Sequence, residues 1–345
     1  MRKKTVVVGF DGFIDILAKP IIEKGENGNR YFDTIASFGE YIRGRAGKSC
    51  SIEMDILKRK MGGNAPLFSA AAATLPFDVS CIGMLGLPEP LPLFDSLPFK
   101  LYSYLPPGES TALEFDDGKI FLAPSLPFMN DPWIAVNTAT ENRAEKLLNQ
   151  ADVIALLNWS EIPFAYALWE SALVSLSTKI AKKEKYAMFD LCDCSRKPRE
   201  EIKSVLELIG RFSQLRYTVL SLNENECLDI GGKLFRQSEC AETAKKIYAD
   251  NGIDEVVVHS NRHSLVVNSD GTYTAETIFV EKPLVSTGAG DNFNAAYAYG
   301  TAAGFPLAER LEFCHRFVRS YITSGKSGFL PMPVMDETGI DVLLE

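Results

Sequence analysis

Histidine is scarce in this chain, with three in 345 residues. A histidine-based metal centre is therefore excluded as an organising theme. The seven cysteines (Cys50, Cys81, Cys192, Cys194, Cys227, Cys240 and Cys314) are odd in number, scattered, and form no CxxC pair. That excludes a disulfide framework and fits reduced thiols in a cytoplasmic protein. Asp190, Cys192, Asp193 and Cys194 stand close together, but no histidine is near, and we read no zinc site there. Basic residues are in deficit: 36 Lys and Arg face 45 Asp and Glu, for a net charge of −9. The balance argues against nucleic acid as a partner, while leaving room for a local basic pocket around a phosphorylated ligand. Long apolar runs are missing too, so no membrane span is expected. The N-terminal stretch is basic and then apolar, but its apolar run is too short for a signal peptide and meets Asp11 and Asp15 at once. It reads as a first β-strand.

What is present is an ordinary apolar fraction of 46%, enough for a sizeable core. The length exceeds the usual single-domain range, yet one large α/β domain with a small appendage fits it. Residues 5–10 form a continuous apolar run ending in Gly-Phe-Asp-Gly, as for a buried parallel strand that opens onto a site. Residues 20–50 are more polar, with helical spacing over 31–43. Residues 51–57 alternate, which predicts a strand with one wet face. An Ala-rich helix over 66–75 and a buried strand over 79–83 follow. Residues 87–108 are proline-rich and read as loop. Runs at 111–115 and 119–123 flank Asp116-Asp117-Gly118, a hairpin signal. From 140 onward, helices at 141–150, 165–181, 199–213 and 240–251 precede strands at 153–157, 186–191, 217–221 and 255–259. A hairpin spans 264–278, and helices at 291–303 and 307–324 close the chain. Such alternation predicts a parallel sheet with helices on both faces.

In an open parallel sheet, ligands bind beyond the carboxyl ends of the strands. Four clusters fall there. Asp11 and Asp15 follow the first strand. Gly62-Gly63-Asn64 precedes the Ala-rich helix. Asn223-Glu224-Asn225-Glu226 follows the 217–221 strand. Last comes Ser286-Thr287-Gly288-Ala289-Gly290-Asp291, opening an Ala-rich helix. Glycines around Ala289 free the backbone amides at a helix N-terminus to hold an anion, and Asp291 beside them suits a base that deprotonates a hydroxyl. Read alone, this stretch is equally an N-capped helix after a glycine turn. Asn223 and Glu226 also have the spacing of a capping box, which is compatible with a metal role. Asp11 equally reads as a turn former.

With these motifs in this order, the chain resembles the ribokinase-like (PfkB) carbohydrate kinases over nearly its whole length. Gly288-Ala289-Gly290-Asp291 is the most specific match. The resemblance implies a mostly parallel central sheet flanked by helices on both faces, with a small β-sheet lid. It implies one domain over 1–345, the lid being built from about 16–60 and 108–125. Asp291 is then the catalytic base, and the amides of Ala289, Gly290 and Asp291 are the anion hole for the transferred phosphoryl group. Asp15, or Asp11 in its place, binds substrate hydroxyls together with Gly62, Gly63 and Asn64. Asn223 and Glu226 organise Mg²⁺ through water, and Arg196 and Thr287 face the nucleotide. A homodimer through the lid is also implied.

The departures from the family pattern are specific. Val285 stands where an Asp is usual and Ser286 where Thr is usual, so a dependence on monovalent cations is not expected. Leu67 replaces an Asn. The segment after the 255–259 strand reads His259-Ser260-Asn261-Arg262-His263-Ser264, without the usual glycines. The expected activity is ATP-dependent phosphorylation of a hydroxyl on a sugar or sugar-like molecule. The alternatives are a nucleoside kinase and a catalytically degenerate regulator that binds sugar or nucleotide.

Overall fold

The fold is described from a computed structural model, which describes residues 3–329 apart from 27, 96 and 177–183, and the backbone of 334–335 and 341–342. The chain enters as β1 (Lys4–Gly9), then β2 (Phe13–Glu23) and the short β3 (Arg30–Tyr31). Helix α1 (Ile35–Arg43), β4 (Met54–Gly62), α2 (Asn64–Ala73), β5 (Phe77–Met84) and α3 (Pro92–Asp95) follow. Next come β6 (Lys100–Leu105), β7 (Gly108–Phe115), β8 (Gly118–Leu122), α4 (Pro132–Ala139), α5 (Ala144–Gln150) and β9 (Val153–Leu157). The regular half runs α6 (Ala165–Val174), β10 (Tyr186–Asp190), α7 (Arg199–Phe212), β11 (Tyr217–Asn223), α8 (Glu224–Ile230), α9 (Cys240–Asn251) and β12 (Glu255–His259). Strands β13 (His263–Asn268) and β14 (Gly271–Glu276) lead to α10 (Ala289–Ala302) and α11 (Leu307–Ser324).

Nine strands make the large sheet, in the order β14-β13-β12-β11-β10-β9-β1-β5-β6. All its pairs from β12 to β6 are parallel; β13 and β14 are added antiparallel. Parallel strands are covered on both faces, so β1 is apolar at consecutive positions. Val7 joins a core with Trp169, Phe189, Phe212 and Ile247, under α6, α7 and α9. Val6 and Val8 point the other way, to Phe68, Tyr297 and Phe317 under α2, α10 and α11. The fold is α/β, with a large mostly parallel sheet flanked by helices and a small separate sheet.

That small sheet is built on β2, which pairs antiparallel with β4 and parallel with β7; β7 pairs with β8 across Asp116-Asp117. Three sequence-based expectations shift here. The helix predicted over 31–43 starts at Ile35, where Thr34 and Ser37 form a capping box, and Tyr31 belongs to β3. The strand predicted over 51–57 is displaced to Met54–Gly62, because pairing with β2 runs on to Phe13↔Gly62. Its apolar side chains Met54 and Ile56 are 43% and 50% exposed, so the wet face is the apolar one. The proline-rich 87–108 stretch contains β6, whose buried Tyr104 donates its hydroxyl to the Phe10 carbonyl at 2.9 Å.

Elsewhere the helix predicted over 141–150 begins only at Ala144, since Glu141 and Asn142 are left-handed, with φ of 52° and 59°. The one predicted over 165–181 is observed over Ala165–Val174; residues 177–183 lie outside the described residues. No helix of the described residues is long and apolar enough to cross a membrane.

Candidate active site

A cleft of about 1240 Å³ opens at the carboxyl ends of the central strands, beneath the small sheet. Phe13, Asp15 and Phe121 line it from the small sheet, Gly63 and Asn64 from the start of α2, and Thr287, Gly288 and Asp291 from the start of α10. Three of the four predicted motifs, far apart in sequence, therefore meet in one place, while Asn223 and Glu226 are not part of the cleft lining.

Asp291 stands in the first turn of α10 and is 6% exposed. Burial, and then the charges of Asp190 and Asp11, push its carboxyl well above the usual range. Its Oδ1 finds no hydrogen-bond partner among the described residues. Gly288 precedes the helix in the left-handed region, with φ of 88°. A Cβ there would also lie 2.7 Å from the Tyr321 hydroxyl, which donates to the Thr287 carbonyl at 2.7 Å. Glycine is needed on both counts. Of the three predicted amides, Ala289 N–H is engaged by the Ser286 carbonyl at 3.2 Å, while those of Gly290 and Asp291 have no backbone acceptor among the described residues. This is the normal condition of the first turn of a helix.

Asp15 and Asp11 separate into different environments. Asp15 on β2 lines the cleft, with Lys60 directly opposite on β4 and its Nζ 4.0 Å away. Burial raises its pKa against the pull of Lys60 and Lys119. Gly62 lies under it, and a Cβ on Gly62 would overlap the Asp15 carboxylate. Asp11 is fully buried and is not part of the cleft lining. It accepts from the amides of Asn64 at 2.7 Å and Ala65 at 2.6 Å, and from the Asn158 side chain at 2.8 Å. Burial still outweighs these donors and lifts its pKa to about 6. Its oxygens thus hold the start of α2, taking the place of the side-chain cap that Gly63 cannot supply.

Asn223 and Glu226 form the capping box of α8. The Asn223 amide donates to Glu226 Oε2 at 2.9 Å, its side chain to Oε1 at 2.6 Å, and Glu226 N–H returns to Asn223 Oδ1 at 2.9 Å. Glu226 is 9% exposed, and burial followed by repulsion from Asp190 pushes it up to about 8. Asp190 ends β10, is held by Asn294 Nδ2 at 2.7 Å and the Cys192 amide at 2.8 Å, and is raised by burial to about 6. Two buried acids that repel one another, with oxygen donors only, suit a hard cation such as Mg²⁺. No group of three or more His, Cys, Asp or Glu side chains converges as a direct metal cage among the described residues. Arg196 lines the cleft, but its side chain is 76% exposed and its Nη2 donates to both Glu161 carboxylate oxygens at 2.8 Å.

Sequence reasoning passed over Asn158, Lys60 and the pairing of Asp190 with Asn294. Their signals were weak. Asn158 stands singly after β9, Asp190 ends β10 in a stretch whose cysteines suggested only a metal cluster, and Asn294 is one turn after Asp291 inside an Ala-rich helix.

Comparison with known proteins extends these observations. The profile of the family described as "Prokaryotic ketohexokinase" matches residues 1–327. A ketohexokinase of Haloferax volcanii is 22% identical over 329 residues, covering 93% of this chain and 87% of that protein. An Arabidopsis thaliana ribokinase complexed with ribose and ATP superposes with a TM-score of 0.61 at 18% identity, covering 95% of each chain. The adenosine kinase of Sinorhizobium meliloti superposes with a TM-score of 0.65 at 17% identity, covering 96% of this chain and 97% of that one. These two likenesses share the ribokinase fold with the large sheet, the flanking helices and the small sheet described above. The chain belongs to the prokaryotic ketohexokinase family and is an ATP-dependent sugar kinase of the ribokinase fold.

Proposed function

We propose that this enzyme transfers the γ-phosphoryl group of ATP to a hydroxyl of a ketohexose, with Asp291 as the base. The observation that carries the reading is the buried Asp291 carboxylate. One oxygen is unpartnered among the described residues, and the residue lines the cleft that Asp15 also lines. Asp15 and Asn64 orient the sugar hydroxyls. Asp291 accepts the proton of the attacking hydroxyl, and its raised pKa makes it a better proton acceptor than an ordinary carboxylate. The amides of Gly290 and Asp291 hold the phosphoryl oxygens as charge develops. Asp190 and Glu226 would hold Mg²⁺ through water, and the ion would neutralise phosphate charge. The Val285 side chain offers no oxygen to a monovalent cation, so K⁺ has little effect. The small sheet acts as the lid of a single domain and as the contact of a homodimer. The seven free cysteines fit a reducing cytoplasm.

The test is ATP consumption by the purified protein against ketohexoses, aldoses, sugar phosphates and nucleosides. A preference for ketohexoses is expected; a preference for nucleosides would replace this reading with the nucleoside-kinase one. Asp291→Asn should fold normally and lose about 10²–10⁴-fold in kcat. Near wild-type turnover in that variant would sink the assignment of the base.

A further inference from the structure

Asn158 ties two walls of the cleft together. It follows β9 directly, and β9 is the parallel neighbour of β1 in the large sheet. Its backbone is left-handed, with φ of 56°. Asparagine tolerates that region better than most residues, but glycine tolerates it best, so the backbone does not by itself call for asparagine. The side chain is what is used. Asn158 lines the cleft, is 3% exposed, and engages both ends of its amide. Nδ2 donates to Asp11 Oδ2 at 2.8 Å, and Oδ1 accepts from the Glu161 amide at 3.3 Å.

The Asp11 carboxylate is where this contact acts. The oxygen that Asn158 reaches also accepts the Asn64 amide at 2.7 Å, and the other oxygen accepts the Ala65 amide at 2.6 Å. A fully buried carboxyl group depends on its donors, and the Asn158 donor fixes its rotation under the start of α2. What Asp11 holds is the turn that presents Asn64. Among the α2 residues that line the cleft, Asn64 is polar and Leu67, one turn on, is apolar. Recognition of hydroxyls from α2 therefore falls on the Asn64 side chain, and its place is set by the contacts Asp11 makes. On the other side, Ser160 and Glu161 line the cleft, on the segment that the Asn158 side chain also holds.

We propose that Asn158 is a positioning residue for the sugar: acting through Asp11, it fixes the start of α2 so that the Asn64 side chain meets the substrate hydroxyls. This rests on the reading above that Asn64 orients the sugar. Asn158 serves sugar affinity and leaves the chemical step to Asp291.

Steady-state kinetics on Asn158→Gly and Asn158→Asp tests it, with D-fructose as the ketohexose and ATP varied in turn. Asn158→Gly suits the left-handed backbone and removes the amide. Asn158→Asp keeps the size and the acceptor for the Glu161 amide, and sets a like charge against Asp11 in place of the donor. Both should raise the KM for the sugar by about 10-fold, while kcat and the KM for ATP change by less than about 3-fold. An unchanged sugar KM in Asn158→Gly overturns the inference. So does a wild-type sugar KM in Asn158→Asp, which would leave the Glu161 contact as the part that matters. In the double variant of Asn158→Gly with Asp11→Asn, the rise should match that of Asp11→Asn by itself, because both changes act on one contact. Rises that multiply would show Asn158 acting on the sugar independently of Asp11, against the proposal. Asn64→Ala separates the two levels. If it leaves the sugar KM unchanged, the site reading itself is overturned. If it raises the sugar KM while Asn158→Gly does not, the site reading stands and only the role of Asn158 falls.

Discussion

Asp11 and Asp15 are four positions apart, have the same side chain, and are put to different uses by their surroundings. Asp15 opens onto the cleft, whereas Asp11 is sealed beneath α2 with three donors on its oxygens. Nothing in Gly-Phe-Asp-Gly-Phe-Ile-Asp separates the two roles, because the difference lies in what α2 brings against β1. A pH signature follows from the burial. The Asp11 pKa is raised to about 6 from an ordinary 3.8, so the folded protein binds this proton more tightly than the unfolded chain. Its contribution to stability is therefore full below the unfolded pKa and lost as pH rises through about 6. Relative to Asp11→Asn, the wild-type unfolding free energy should fall by up to about 3 kcal/mol between about pH 4 and pH 7. Urea unfolding at several pH values measures this, and a difference independent of pH would contradict it. Asp291 was legible from its glycine neighbours as an acid in the first turn of a helix. Asp190 was not legible as its charged neighbour, since their proximity is created by β10 ending opposite α10.

Among the elements, the Gly62-Gly63-Asn64 turn joins the small sheet to α2, as the end of β4 and the start of the helix. The sequence marked it as a substrate-binding turn, and the packing explains both glycines. Gly63 has φ of 87°, and Gly62 leaves room for the Asp15 carboxylate. In Gly62→Ala the new methyl displaces Asp15 from its place over the cleft. The KM for the sugar should rise by about 10-fold or more, while the KM for ATP changes by less than about 2-fold. Steady-state kinetics with each substrate varied in turn decides it; an unchanged sugar KM would show that Asp15 does not bind sugar. Strands β9 and β12 and helix α9 were legible to the residue, since uninterrupted apolar runs and an amphipathic stripe carry their own boundaries. Strand β2 was missed. It alternates buried and half-buried residues and contains Pro20, so its strand character comes from pairing with β4 and β7.

At the scale of the whole molecule, the small sheet carries a cluster of exposed apolar side chains. Met54, Ile56 and Leu57 on β4 are 43%, 50% and 49% exposed, a concentration of apolar side chains on an outer strand. The proposed homodimer would cover them. Sedimentation should give a dimer for wild type, and Ile56→Glu should weaken dimerisation by roughly 10-fold or more. A wild-type monomer at micromolar concentration would remove the lid contact from the reading. The sequence by itself determined the fold class, the strand-helix alternation and the short motifs at strand ends, because periodicity, glycine turns and helix starts are local and need only neighbouring residues. The Gly-Ala-Gly-Asp stretch was therefore readable as a glycine turn opening a helix with an acid in its first turn. Only the tertiary structure decided which acids face the cleft, which amides remain free, and that Asn158 reaches Asp11. Those properties depend on contacts between residues that are tens to hundreds of positions apart, and on the burial that such contacts create.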